Sequence, residues 1–160
     1  MDSPLITKVI RPEHCDPLFL LRELGRERKY CALLESADRN HGINNFSFLA
    51  LGKRDLVLMN DGNPLDHFKK KIGRGEEGSL LMMGYIGFLS FESLRYFESV
   101  PLKRDPTIPD GYFVLPEVVI RIDHKKRVVT LITHCDSKED LGEIERVINA
   151  SPYFDDEKKD

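Results

Sequence analysis

Leu33-Leu34-Glu35-Ser36 sets a carboxylate and a hydroxyl at the end of an apolar run. Such a pair can take the ammonium group and one donor of a small polar ligand, with the leucines walling its apolar side. The same four residues also describe an ordinary strand end, with Glu35 in solvent and Ser36 closing the turn, and these residue types are used that way more often. His14-Cys15 and His134-Cys135 are adjacent pairs of zinc-ligand types that would recruit a metal if the fold brought them together. Neighbouring residues on a strand point to opposite faces, however, so two ligands from one pair are awkward. Gly84-Tyr85-Ile86-Gly87 has two glycines three apart but lacks the third glycine, the lysine and the opening helix of a phosphate loop. Close approach of a second backbone is the better account of it. Cys31 sits among apolar residues and reads as a small core residue, and no serine or cysteine has a nucleophile elbow around it.

Composition narrows the classes further. With 160 residues, 41% of them hydrophobic and 32% charged, the chain suits one globular domain, expected over residues 1–150, with 151–160 as a charged, disordered tail. A net charge of −3 and the lack of a basic, aromatic-interleaved stripe argue against nucleic acid and against an anionic membrane surface. Three widely spaced cysteines, Cys15, Cys31 and Cys135, point to free thiols in a reducing compartment. The opening MDSPLITKVI has no basic-then-apolar leader, and residues 80–91 are too few to span a bilayer as a helix. A cytoplasmic location is the expectation.

The elements that must position these groups follow from spacing. The most apolar stretch, 80–98, carries Gly84 and Gly87 inside it and reads as a strand buried on both faces, passing into helical spacing from Ser90. Asp16-Pro17 opens a helix whose buried side is read as Leu18, Leu21 and Leu24, ended by Gly25. Strands are expected over 29–36, 46–51 and 55–59, the last two paired as a hairpin. Asn60 to Pro64 is turn chemistry leading into a helix with Leu65, Phe68 and Ile72 on one side. Pro101, Pro106 and Pro109 mark an irregular segment. A β-hairpin over 114–123 and 127–134 follows, then a capping box at Ser137 to Asp140 and a helix burying Leu141, Ile144 and Ile148. The fold class is α+β, mainly antiparallel sheets with helices packed outside.

Several of these pieces occur together in a recognisable order. Leu33-Leu34-Glu35-Ser36, Phe46-Ser47-Phe48-Leu49, the run Gly84-Tyr85-Ile86-Gly87-Phe88-Leu89-Ser90-Phe91-Glu92 with Arg95 and Phe97-Glu98, Pro109-Asp110, and Ile122-Asp123-His124 stand in sequence. This pattern resembles the N-terminal region of anthranilate synthase component I and of the related aminodeoxychorismate synthase component I. It runs from about Tyr30 to Ile132, and Ala37-Asp38 after the LLES box leans toward the anthranilate branch. The resemblance implies part of a four-layer α/β/β/α sandwich of two orthogonal sheets. It also implies a lyase context in aromatic amino-acid biosynthesis. Chorismate and ammonia from a glutamine amidotransferase partner give an aromatic amine there, with Mg2+.

The chorismate and Mg2+ residues of that family lie in a longer C-terminal region that nothing in this chain matches. The chain is therefore expected to have no catalytic residue, no metal ligand and no cofactor of its own, and to serve a structural and feedback-sensing part. In feedback-inhibited members the LLES segment lines a tryptophan site. Carried over, Leu34, Glu35 and Ser36 contact the ligand, with Glu35 or nearby backbone facing its ammonium group. Two departures stand out: Asn45-Phe46 where a basic residue often precedes the S-F pair, and Met83 where a second glycine is usual. The expected partners are the catalytic half and the amidotransferase, or a second copy meeting an exposed sheet. The alternative reading is a free-standing amino-acid-binding regulatory module using the LLES edge.

Overall fold

Five strands of the chain pair antiparallel into one sheet: β1 (Leu5–Ile10), β2 (Cys31–Glu35), β3 (Phe46–Leu51), β7 (Val118–Asp123) and β8 (Val128–His134), in the order β1-β8-β7-β3-β2. This is seen in a computed structural model that describes residues 3–35, 45–60, 62–64, 66–67, 83–99, 101–102, 105 and 107–152. Three more strands, β4 (Asp55–Met59), β5 (Ile86–Leu89) and β6 (Gly111–Leu115), form a second antiparallel sheet in the order β4-β6-β5. The chain divides into two compact units, residues 1–52 with 116–160, and residues 53–115. Mainly antiparallel sheets with few helices is the α+β class read from the sequence.

In the first unit, register decides the core. Leu49 lies opposite both Leu33 and Ile120, Ile120 opposite Leu131, and Ile10 opposite Val129. Residues opposite one another share a face, so the middle of one face of this sheet is an apolar surface. Two helices cover it: α1 (Pro17–Gly25), through Leu20 and Leu24, and α2 (Leu141–Asn149), through Ile144 and Ile148. All four side chains are fully buried, and each contributes roughly 2 kcal/mol of apolar transfer.

Both helix starts follow from local chemistry, with one change at each. Asp16 caps α1 by accepting from the Leu18 amide at 2.9 Å, and Pro17 takes the first turn, where its missing N–H costs nothing. Its buried side is Leu20 and Leu24, however, while Leu18 is 51% exposed. The run Leu18-Phe19-Leu20-Leu21 is apolar all round, so spacing alone does not choose a side; the sheet does. For α2, Asp140 and not Ser137 is the cap, accepting from Gly142 at 2.9 Å and Glu143 at 3.1 Å. Ser137 instead accepts from Glu139 within the preceding turn.

The expected β3–β4 hairpin does not form. Both edges of β3 are occupied, one by β2 and the other by β7, which leaves no ladder for β4. Gly52, at φ +72, turns the chain away, and β4 pairs with β6 from Asp55 opposite Leu115 to Met59 opposite Gly111. The hairpin expected over 114–134 is also divided. Pro116 has no N–H for a ladder, so residues 114–115 end β6 while β7 and β8 alone form the hairpin, closed by the Asp123 carboxylate accepting from Lys126.

The strand expected to be buried on both faces is a correction of larger scale. Its described part, β5, is four residues long and stands at the edge of the three-stranded sheet, with Phe88 48% exposed. The sequence shows an apolar run but not its neighbours, and an edge strand with apolar residues reads like a central one. The close backbone approach at its glycine is real. A Cβ built on Gly87 would lie 1.8 Å from the Tyr112 carbonyl oxygen and 2.7 Å from the Phe113 Cα. A short 3-10 helix, Phe91–Tyr96, follows β5 and turns Arg95 and Tyr96 toward Asp110. That carboxylate is 0% exposed, and its Oδ2 accepts from Arg95 at 2.6 Å and from Tyr96 at 2.9 Å. Pro64, Asp66 and His67 are helical, while Leu65, Phe68 and Ile72 of the expected helix lie outside the described residues, as does the tail from 153.

Candidate functional site

Glu35 lies at one end of the five-stranded sheet, on the rows that carry Ser47 and Ile122. β2 is an edge strand, and its last residues, Leu34 and Glu35, alternate between the two faces: Leu34 opposite Phe48, Glu35 opposite Ser47. Leu34 is 47% exposed and Glu35 is exposed. Strand alternation thus separates the two, and one ligand meets both only from the open edge of the sheet. Ser36 lies outside the described residues.

Glu35 does not stand alone. Its Oε1 accepts from the Ser47 hydroxyl at 3.0 Å, and the same hydroxyl lies 2.7 Å from Nε2 of His124. Ser47 is 1% exposed, so β3 carries a buried hydroxyl between a carboxylate on β2 and an imidazole at the β7–β8 turn. Backbone pairing fixes the turn as well, with the His124 amide donating to the Asn45 carbonyl at 2.9 Å. Ser47 and His124 both fall within motifs visible in the sequence, yet nothing there brings them together. They are 77 positions apart, and only the pairing of Ser47 with Glu35 on one side and with Ile122 on the other makes them neighbours.

A cavity of about 180 Å³ opens at this end of the sheet, lined by His14, Cys15, Ile122, Asp123, His124 and Arg127 among others. The register of β1 against β8 puts His14-Cys15 near Val129 and His134-Cys135 at the other end of β8, beside Leu5. The two His-Cys pairs therefore do not meet, and among the described residues no group of three or more His, Cys, Asp or Glu is placed to hold a metal ion. Gly84-Tyr85-Ile86-Gly87 leads into β5, and at Gly87 it admits the backbone of the neighbouring strand.

The thiols differ in environment. Burial pushes the Cys15 thiol up to about 12, and the charge of Asp16 adds to this. Burial also raises Cys31, outweighing the lowering effect of Arg28. A raised thiol keeps its proton through neutral and mildly basic pH, and only a thiolate attacks. Cys135 is exposed. At pH 8 an aromatic disulfide reagent should therefore label one thiol fast, Cys135, and Cys15 at least about tenfold more slowly. Equal rates for Cys15 and Cys135, followed by peptide mapping, would contradict the assignment. No helix among the described residues is long and apolar enough to cross a membrane.

No family model matches the chain. Among curated proteins it is 28% identical over 127 residues to anthranilate synthase component 1 of Saccharomyces cerevisiae, which covers 71% of this chain and 25% of that protein. It is 28% identical over 135 residues to aminodeoxychorismate synthase component 1 of Bacillus subtilis, covering 73% of this chain and 29% of that protein. A crystal structure of anthranilate synthase component I from Streptococcus pneumoniae aligns with 89% of this chain and 35% of its own, at 22% identity and a TM-score of 0.49. The chain is thus similar over most of its length to component 1 of these two synthases, and it spans about a quarter of the length of the curated relatives it matches.

Proposed function

We propose that this segment serves as the N-terminal, non-catalytic part of an anthranilate synthase-like large subunit, acting in aromatic amino-acid biosynthesis from chorismate in the cytoplasm. One observation carries the reading. Similarity to component 1 proteins covers 63 to 82% of this chain but only 21 to 31% of each relative. The five-stranded sheet with α1 and α2 is then one sheet-and-helix pair of the sandwich that the resemblance implies. On this reading chorismate, Mg2+ and the chemistry fall to a region that this chain does not match. The partners in this reading are that catalytic region and a glutamine amidotransferase.

The sensing part of the proposal rests on the end of β2. Glu35 is exposed and anchored by a buried hydroxyl, a setting that supports capture of a ligand ammonium group, with Leu34 at the sheet edge and Ser36 the next residue in the sequence. L-tryptophan is the amino acid that the resemblance names. The test is reconstitution. Mixed with a separately produced remainder of a component 1 protein and its amidotransferase, the chain should restore amine formation that depends on both chorismate and glutamine, read by anthranilate fluorescence. No restored activity at any ratio would overturn the proposal.

A further inference from the structure

The Glu35–Ser47–His124 line has a direction fixed by proton count. An ionised carboxylate only accepts, and a serine hydroxyl has a single proton to give. Ser47 Oγ lies 3.0 Å from Glu35 Oε1, so that proton points at the glutamate. The hydroxyl oxygen must then accept from the imidazole 2.7 Å away, which requires a hydrogen on Nε2 of His124. We infer that His124, acting through Ser47, is a positioning residue that fixes the Glu35 carboxylate for the ammonium group of an amino-acid ligand. The inference rests on the reading of Glu35 as the ammonium acceptor.

The physical need for such a device is plain. Glu35 ends an edge strand, is exposed, and has three rotatable side-chain bonds. A hydrogen bond from the buried side to one of its oxygens lowers the ordering that a ligand must supply on binding. Ser47 is buried on the neighbouring strand and cannot move far, and the turn that carries His124 is pinned by the backbone bond to Asn45. Order is therefore passed from the sheet, through two hydrogen bonds, to an exposed carboxylate. His124 also lines the 180 Å³ cavity, together with Glu13, His14, Asp123 and Arg127, so an occupant of the cavity would touch the far end of the same line.

Two measurements on the full chain test this. In 15N-edited NMR spectra the neutral His124 ring should carry its proton on Nε2, and Ser47→Ala should shift the ring toward the other tautomer. In calorimetric titration with L-tryptophan, Ser47→Ala and His124→Phe should each weaken binding about tenfold. Ser47→Thr and His124→Gln, which keep a hydroxyl and a side-chain N–H, should stay within about threefold of the wild type. A neutral Nδ1–H ring in the wild type would overturn the inference, and so would wild-type affinity in both Ser47→Ala and His124→Phe. A wild-type chain that binds tryptophan but ignores these substitutions sinks the positioning role alone. A wild-type chain that binds no amino acid sinks the sensing reading, and this inference with it.

Discussion

Gly87→Ala is expected to cost about 3 kcal/mol or more of folding stability, the upper range for forcing atoms into a packed structure. The reason is the identity of what the new methyl group meets. At Gly87 it would fall 1.8 Å from the Tyr112 carbonyl oxygen and 2.7 Å from the Phe113 Cα, both backbone atoms of the paired strand. Gly87 and Phe113 are ladder partners, so relief requires β5 to leave β6. Gly111→Ala is the informative comparison. There the nearest atoms are the Met59 sulfur at 2.9 Å and the Leu89 Cδ2 at 3.1 Å, ends of side chains that can give way. It should cost about 1 kcal/mol. Urea melts followed by circular dichroism separate the two; a Gly87→Ala chain within about 0.5 kcal/mol of the wild type would refute the close approach.

Ile120→Ala should cost about 3 to 4 kcal/mol, within the range for truncating a fully enclosed aliphatic side chain. Ile120 is completely buried in β7, flanked by Leu49 on β3 and Leu131 on β8, themselves almost wholly buried, beneath the helix layer. Two strands and a covering helix layer limit how far the surroundings can collapse into the void. Ile120→Val should cost about 1 kcal/mol, since it removes a single methylene. The same melts read both changes. A loss of under about 1 kcal/mol for Ile120→Ala would mean that this row is not the centre of the core.

How much of this was legible in the sequence depends on whether a feature is local. β3 and β4 have the bounds their alternation and flanking turns announce, Phe46–Leu51 and Asp55–Met59. Asp16-Pro17 announces α1, and Ile144 with Ile148 announces the buried side of α2. Pairing is not local. That β4 belongs to a different sheet from β3 follows from both edges of β3 being filled by strands distant in sequence, which no window can show. β1 gives no periodic signal, because four successive residues of its six are exposed, and β6 is hidden in an apolar run that continues past Pro116 into β7. At the site, Leu34 and Glu35 could be marked by residue type, while the anchoring of Glu35 by Ser47 and His124 needs a three-strand register.

The return of the chain to β3 has a genealogical consequence. Leu51 and Val118 are ladder partners, and the Glu117 amide donates to the Leu51 carbonyl at 3.0 Å, so the path closes on itself after a long excursion. The excursion closes too, with the Arg54 amide donating to the Leu115 carbonyl at 2.8 Å. The three-stranded sheet is thus a cassette spliced into what would otherwise be a plain turn between neighbouring strands. Its gain or loss by one insertion or deletion would break no rung of the five-stranded ladder. Without it β2, β3, β7 and β8 would pair as a meander of neighbouring strands, which lowers the contact order and speeds folding, while the β1–β8 pairing would still join the first strand to the last.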